Sequence, residues 1–413
     1  MTWKGGDKMK VTRVEQQMIK KSHPLWNVID EMCFNSKNLY NEANYIIRQE
    51  FINNGKYINY YDMNKEFKTH ENYKLCGSQP ANCTLRLLDK NWKSFFTGIK
   101  DWTKNKDKYL GMPKMPKYLK KDGRYIWSIP NNTVFIKEAG KLHFAIRKMQ
   151  TYDWKTNVKG RLIQVRFVPR ANFYMMEIVY ETEIIDLPSD FKSERISSID
   201  LGVDNFVTMT NNIGISPIII NGKGIKSINQ FYNKQRAKIQ SELKIRHDKY
   251  MSNKFISITN KRNRRIKNYI HCASKYIVEY CKKNNIDTLV CGINKEWKQE
   301  SSMNKVNNQK FITIPYDMLI NQLEYKCQDY GIKFITNEEN YTSGTSFLDG
   351  ELPIKDNYNK SRRVQRGLFQ AKNQLINSDV NGSLQIMKKV FPNAFNECYG
   401  IEGILTPVVI NVA

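Results

Sequence analysis

Two kinds of apolar spacing follow one another along this chain, and their order limits its fold more than any other feature. Leu25 to Ile52 (LWNVIDEMCFNSKNLYNEANYIIRQEFI) and Thr84 to Trp102 (TLRLLDKNWKSFFTGIKDW) repeat apolar residues at three- and four-residue steps, which predicts helices. Residues 125 to 182 instead give short β-like runs between turn residues: YIWSI, TVFIK, KLHFAI, LIQVRFV and FYMMEIVYE. These predict a small antiparallel barrel or sheet, which the early stretch MKVTRVEQQMI can join across the helical segment. Between the two blocks, Lys104 to Arg124 holds eight Lys/Arg against two Asp, and Gly111, Pro113 and Pro116 break any helix there. Past a polar boundary at 183 to 194, Arg195 to Thr210 (RISSIDLGVDNFVTMT) predicts two strands around a tight turn, with IGISPIII as a third. Helical spacing resumes from Ser227, and Tyr269, Ile270, Ala273, Tyr276, Ile277 and Tyr280 share one helical face. A strand (286 to 293), a helix (Tyr316 to Asp329), a strand (332 to 338), a loop-rich basic insertion and a helix from Asp379 complete the order.

The second half therefore reads β-β-β-α-β-α-β-α, the order of a ribonuclease H-like fold, in which helices pack on the faces of a mixed sheet. A chain of 413 residues suggests two to four domains at about 150 residues each. Its 66 Lys/Arg against 40 Asp/Glu give a formal net charge of +26, so the expected partner is polyanionic. The charge is spread over several elements without an amphipathic anchor, which favours nucleic acid over a membrane surface. The eight cysteines lie singly, with no C-x-x-C pair, and read as small core residues of a cytosolic protein rather than as a zinc ribbon or disulfide framework. No apolar run reaches the roughly 18 residues needed to span a bilayer, and a soluble intracellular location is expected.

Four acidic residues stand out by placement. Asp200 ends the first strand of the second half, Glu338 and Glu339 end a later one, and Asp379 begins the last helix. Carboxylates converging from separate elements suit hard divalent cations, and a pair of Mg²⁺ ions can stabilise both oxygens of an in-line phosphoryl displacement. With five His in the chain, none paired at a ligand spacing, a His-based metal site or a Ser-His-Asp triad has little support. The competing reading of each acid is a turn or capping residue.

At this point the residues carry a resemblance. SSIDLGVDNF (197 to 206), FYNKQRAKIQSEL (231 to 243), INKEWKQE (293 to 300), NEENYTSGTSFLDGELP (337 to 353) and INSDVNGSLQIM (376 to 387) resemble the RuvC-type nuclease core of the TnpB family, transposon-encoded RNA-guided relatives of miniature type V CRISPR effectors. KNLYNEANYIIRQEF (37 to 51), LDKNWKSFF (88 to 96), MPKMPKY (112 to 118) and LIQVRFVPRANFYMMEIVYE (162 to 181) are similar to the family's N-terminal half in order and spacing. The resemblance implies an α+β multidomain protein with a ribonuclease H-like (RuvC) nuclease core and an N-terminal β-barrel (wedge) carrying a helical recognition insertion. The expected boundaries are 1–24 with 125–190 for the wedge, 25–124 for the insertion, 191–340 with 376–413 for the nuclease, and 341–375 for a basic insertion that binds the target strand.

By the same resemblance Asp200 matches the family's first catalytic aspartate, and Asp379 the aspartate of its D-V-N-x-(A/S) motif. Two departures follow. The second motif commonly ends a strand with Glu where this chain has Gly292, so Glu338 or Glu339, one strand over, is expected to supply the missing carboxylate, with Glu296 a weaker candidate. Many relatives bind zinc with two cysteine pairs after YTS, but this segment has no Cys, so no zinc is expected; hydrogen bonds from Ser346 and Asp349 and packing of Phe347 and Phe369 are expected in its place. Expected nucleic-acid contacts are Lys37, Asn38, Tyr40 and Asn41; Lys114, Lys117 and Tyr118; Lys234, Arg236, Arg264 and Arg265; Tyr341, Thr342 and Ser343; and Arg362 and Arg363. Lys355, Lys360 and Arg366 add to the basic lid. Tyr45 is expected in a helix core.

The implied function is an RNA-guided DNA endonuclease in a prokaryotic cytoplasm, associated with the nucleoid. It would use a guide RNA, double-stranded target DNA, a short adjacent motif and two Mg²⁺ ions, and act as a monomer rather than a homodimer. Three alternatives stand beside it: a nuclease-inactive RNA-guided repressor, for which Gly292 speaks, a miniature CRISPR effector of the same chemistry, and, with less support, a transposase.

Overall fold

The computed structural model describes residues 8–137, 140–188, 190–247, 251–294, 313–395 and 402–412. They divide into two compact units, Lys10–Glu183 and Ile184–Ala413 with Met1–Met9.

In the first unit, strand β1 (Lys8–Ile19) precedes helices α1 (Trp26–Asn54), α2 (Tyr60–Phe67), α3 (Glu71–Cys76) and α4 (Ser78–Lys104). α1 buries Ile29, Cys33, Ser36, Leu39, Tyr40, Ala43 and Ile47 at helical steps. It stops at Gly55, whose φ of 65° and N–H bond to the Phe51 carbonyl make a left-handed cap that a side chain would strain. Trp92 of α4, fully buried, packs on Phe51, Tyr57, Phe95 and Phe96 and donates its indole N–H to Asn44. The strands β2 (Trp127–Pro130), β3 (Val134–Lys137), β4 (Lys141–Phe144), β5 (Trp154–Lys155), β6 (Arg161–Pro169) and β7 (Tyr174–Ile185) form a four-stranded sheet of order β1-β7-β6-β2 and a three-stranded one of order β3-β4-β5. Trp127, Phe144, Trp154 and Phe167 fill the core between them together with Ile29 and Cys33 of α1. α1 serves this core with one end and the helical core with Leu39 to Ile47, and helices and strands fall in one compact unit, Lys10–Glu183.

The second unit is built on a six-stranded sheet of order β12-β11-β8-β9-β10-β15. β8 (Ile196–Leu201), β9 (Asn205–Asn211) and β10 (Ile218–Asn221) are antiparallel neighbours, whereas β11 (Thr288–Ile293) and β12 (Lys333–Glu338) run parallel to β8. The three-residue β15 (Val408–Ile410) adds a parallel edge to β10 that no apolar pattern announced. Helices α5 (Lys223–His247), α6 (Asn253–Lys283) and α7 (Tyr316–Asp329) follow the expected order. Ile266 to Cys281 of α6 and Tyr316 to Cys327 of α7 pack on Ile199, Leu201, Leu289 and Cys291. Alternation sends Ile196 and Val290 to the opposite face, against Ile386 and Met387 of α8 (Ser378–Val390). A short hairpin, β13 (Leu368–Gln370) with β14 (Leu375–Asn377), leads into α8.

Candidate active site

Asp200 lies on the α8 face of β8, in alternation with Ile196 and Ser198. A buried hydroxyl cluster fixes α8 to the sheet there. Ser198 Oγ donates to the Ser383 carbonyl at 2.7 Å, Ser383 Oγ to the Ser198 carbonyl at 2.9 Å, and both hydroxyls meet Thr210 Oγ1. Gly382 permits the approach, since a Cβ there would lie 2.7 Å from Asp200 Oδ2. Asp379, in the first turn of α8, accepts a bond from Asn205 Nδ2 at 2.8 Å and faces the Arg363 guanidinium at 4.0 Å. The Asn377 side chain caps this helix through the Asp379 and Val380 amides.

The neighbouring strand explains the missing second-motif residue. β11 pairs Cys291 with Ile199, so Gly292 comes next in register beside Asp200. On its other side Gly292 pairs with Asn337 of β12, and Glu339 follows that strand with its amide bonded to the Ile293 carbonyl. A Cβ at Gly292 would lie 2.9 Å from Glu339 Oε2 and collide with Ile386. The Glu339 carboxylate therefore occupies the space over Gly292. Burial, and then the charges of Glu339 and Asp379, push Asp200 well above the ordinary carboxylate range, with Arg363 partly opposing them. The same two acids, Asp200 and Glu339, raise the Tyr316 phenol and the Cys291 thiol beyond the effect of burial.

Of the four acids read from the sequence, the structure thus brings Asp200, Glu339 and Asp379 into electrostatic contact. Glu338 ends β12 half-buried and is not among the groups that raise Asp200. Glu296 lies outside the described residues. Sequence reasoning missed Asn205, Gly382 and Asn381. Only Asn381 carried a signal, its place in the D-V-N motif by which Asp379 resembles the family, and its amide ties α8 to the insertion through the Thr345 carbonyl and the Phe347 amide.

The donor set is oxygen only, and mutual repulsion of carboxylates is what a hard divalent cation relieves. One buried oxygen without a hydrogen-bond partner among the described residues, Thr208 Oγ1, belongs to the residue paired with Asp200. The residues present therefore fit Mg²⁺. As the side chains stand, no group of three or more His, Cys, Asp or Glu among the described residues encloses a common point.

The insertion is braced where sequence reading placed a substitute for zinc. Arg362 bridges Asp349 at 3.4 Å and Glu351 at 2.8 Å, Glu351 accepts from the Ser346 amide, and the Asp349 amide donates to Ser346 Oγ. Phe347 stacks edge-on with Phe395, and Phe369 is fully buried. Arg362 is consequently an internal tie, while Arg363 reaches Asp379 and Arg366 pairs with Asp204 in the turn after Asp200.

The remaining nucleic-acid candidates divide by exposure. Lys114, Lys117, Lys234, Arg236, Arg264 and Arg265 are exposed. Tyr118 is exposed beside Arg48, whose guanidinium lies over its ring at 5.2 Å. Lys37 is buried instead, donating to Asn38 and to the Lys121 carbonyl, and Asn41 makes two bonds to the Leu119 backbone. These residues pin the basic connector along α1. Tyr40 is buried against Tyr125, whereas Tyr45 is 56% exposed, the reverse of the expectation, because Tyr40 and not Tyr45 falls on the Leu39–Ala43–Ile47 stripe. Tyr341 is exposed at a φ of 67°, Thr342 is buried with its hydroxyl on the Glu339 carbonyl, and Ser343 is half-buried.

Comparison with known proteins points the same way as the motifs. Residues 177–298 match the family model OrfB_IS605, described as a probable transposase, and residues 316–386 match that of the Cas12f1-like TNB domain. Asp200 and Gly292 fall in the first match, and Glu338, Glu339 and Asp379 in the second. The TnpB-like protein ORF457 of Acidianus two-tailed virus is 22% identical over 402 residues, covering 88% of this chain and 83% of its own. A Cas12f1–sgRNA–target DNA complex is similar with a TM-score of 0.38 and 18% identity, covering 91% of this chain and 98% of the other. The mini-RNA-guided endonuclease CRISPR-Cas_phi3 gives 0.44 and 10% over 93% and 92%. The two family models and the viral relative agree with the resemblance to TnpB-type proteins carried by the motifs. Among the described residues no helix is long and apolar enough to cross a membrane.

Proposed function

We propose that the protein is an RNA-guided DNA endonuclease whose second catalytic carboxylate has moved from the β11 position to Glu339. The observation that carries this reading is the Glu339 carboxylate lying over Gly292, close enough to Asp200 to raise its pKa. Asp200, Glu339 and Asp379 would hold Mg²⁺, which when bound supplies Lewis acidity to the scissile phosphate and lowers the pKa of the attacking water. Asn205 and the Asn377 cap orient Asp379, Gly382 leaves room for Asp200, and the Ser198–Thr210–Ser383 cluster keeps α8 in register with the sheet. Arg363 offsets carboxylate charge and would meet a strand phosphate. Sequence specificity would come from base pairing of a guide RNA with the target strand, the protein itself reading a short adjacent motif. The exposed basic residues would contact the strands, and the protein would work as a monomer.

The test is cleavage of a plasmid carrying a target matched to the RNA that co-purifies with the protein, beside a randomised flank, with Mg²⁺ or EDTA. Guide-dependent cutting that Asp200→Ala abolishes supports the reading. Guide-dependent binding without cutting by the wild type overturns it and leaves an RNA-guided repressor, the alternative that Gly292 favours.

A further inference from the structure

A second polar constellation lies in the same unit, where the start of α5 meets α6. Lys261, Arg264, Arg265 and Asn268 occupy one stripe of α6, at steps of three, one and three residues. With Gly224, Ser227 and the edge of Tyr269 they line a cavity of about 540 Å³, large enough for one nucleotide unit. Gly224 lets the start of α5 close on the Tyr269 ring, since a Cβ there would lie 2.9 Å from it, and the ring is anchored by its hydroxyl to the Asn221 carbonyl. The wall is strongly positive. Lys261 to Asn268 (KRNRRIKN) contains no acid, and the first turn of α5 has none either. Arg262 between them is drawn away, onto Asn229, the Thr313 carbonyl and the Tyr232 ring, so the pocket cations are a set apart from the packing cations. Lys261, Arg264 and Arg265 stay exposed, and Lys261 and Arg265 have no carboxylate partner among the described residues. Clustered cations repel one another, and a phosphate entering here would meet them together with the Ser227 hydroxyl.

We propose that this pocket seats one backbone phosphate of a bound nucleic-acid strand and fixes that strand's register on the nuclease unit. The proposal rests on the reading that the partners are nucleic acids. It assigns a discrete phosphate seat where the sequence indicated only a diffuse basic surface.

The test is the salt dependence of binding to the labelled co-purifying RNA and to an unrelated single strand. Wild type is compared with Arg264→Ala/Arg265→Ala, with Ser227→Asp and, as a charge control in the other unit, with Lys137→Ala. Losing one seated phosphate should weaken binding ~10-fold at moderate salt and make the log–log salt slope shallower by about 1. Ser227→Asp, which keeps every cation but adds a carboxylate to the pocket, should do the same, and Lys137→Ala should not. Wild-type slopes in both pocket variants overturn the proposal. Inorganic phosphate that raises the unfolding temperature of wild type but not of the double variant, with strand binding unchanged, also overturns it in favour of a free-anion site. Should the wild type bind both strands equally and the pocket variants lose slope on both, the pocket stands while the RNA-guided reading fails.

Discussion

At the scale of single residues, Asp200 shows how a site stores charge. Burial and two carboxylates raise its folded pKa, whereas the unfolded chain ionises near the ordinary value of ~3.9. Stability from this group is therefore complete below that value and is lost as pH climbs through the raised one. Asp200→Asn should stabilise the cation-free protein at neutral pH by about 1 kcal/mol or more, a rise of ~2–4 °C in a unit of this size, and the gain should vanish near pH ~3. Thermal unfolding in EDTA across pH checks this, and a gain that does not depend on pH would place its cause elsewhere. The Glu339 carboxylate takes the space over Gly292 that a side chain there would use, with the flexible end of Ile386 the other group that would have to shift. The exchange Gly292→Glu/Glu339→Ala should recover at least ~10-fold of the cleavage lost in Glu339→Ala alone. Activity in the exchange variant no higher than in Glu339→Ala alone would mean that the space over Gly292 is not a catalytic position.

At the scale of elements, the insertion after β12 is held by a guanidinium between two acids. Asp349 and Glu351 are 8% and 20% exposed, and removing Arg362 leaves both without their shared cation. Arg362→Ala should open the insertion to trypsin at the exposed Lys355 and Lys360 while leaving the six-stranded sheet folded. Digestion at the wild-type rate would show that Phe347 and Phe369 alone hold it. This network was partly legible in the sequence: Ser346, Asp349, Phe347 and Phe369 could be named from a cysteine-free segment that still needed an anchor. Arg362 could not, because a basic residue in a basic run looks the same whether it faces a phosphate or an acid far along the chain. Lys37 and Asn41 misled for the same reason. Their partners are backbone carbonyls and amides of the connector, which carry no signature in a sequence.

At the scale of the whole molecule, the strand and helix order of the second half was legible because period-two and period-3.6 patterns alternate there without ambiguity. Asp200 and Asp379 were legible because they sit at element ends. The dual role of α1, the edge strand β15 and the direction of the Glu339 side chain were not, since each depends on tertiary packing: a long helix spanning two cores, three residues completing a sheet edge, and a carboxylate reaching over a neighbouring strand. The net charge of +26 announces a polyanionic partner but does not choose among contacts. The central claim is that the nuclease carboxylate is Glu339, and separate substitutions test it most directly. Guide-dependent plasmid cleavage in Mg²⁺ should fall by about 10²-fold or more in Glu339→Ala, as in Asp200→Ala, and stay near wild type in Glu338→Ala. Cleavage that survives Glu339→Ala and is lost in Glu338→Ala would contradict the account.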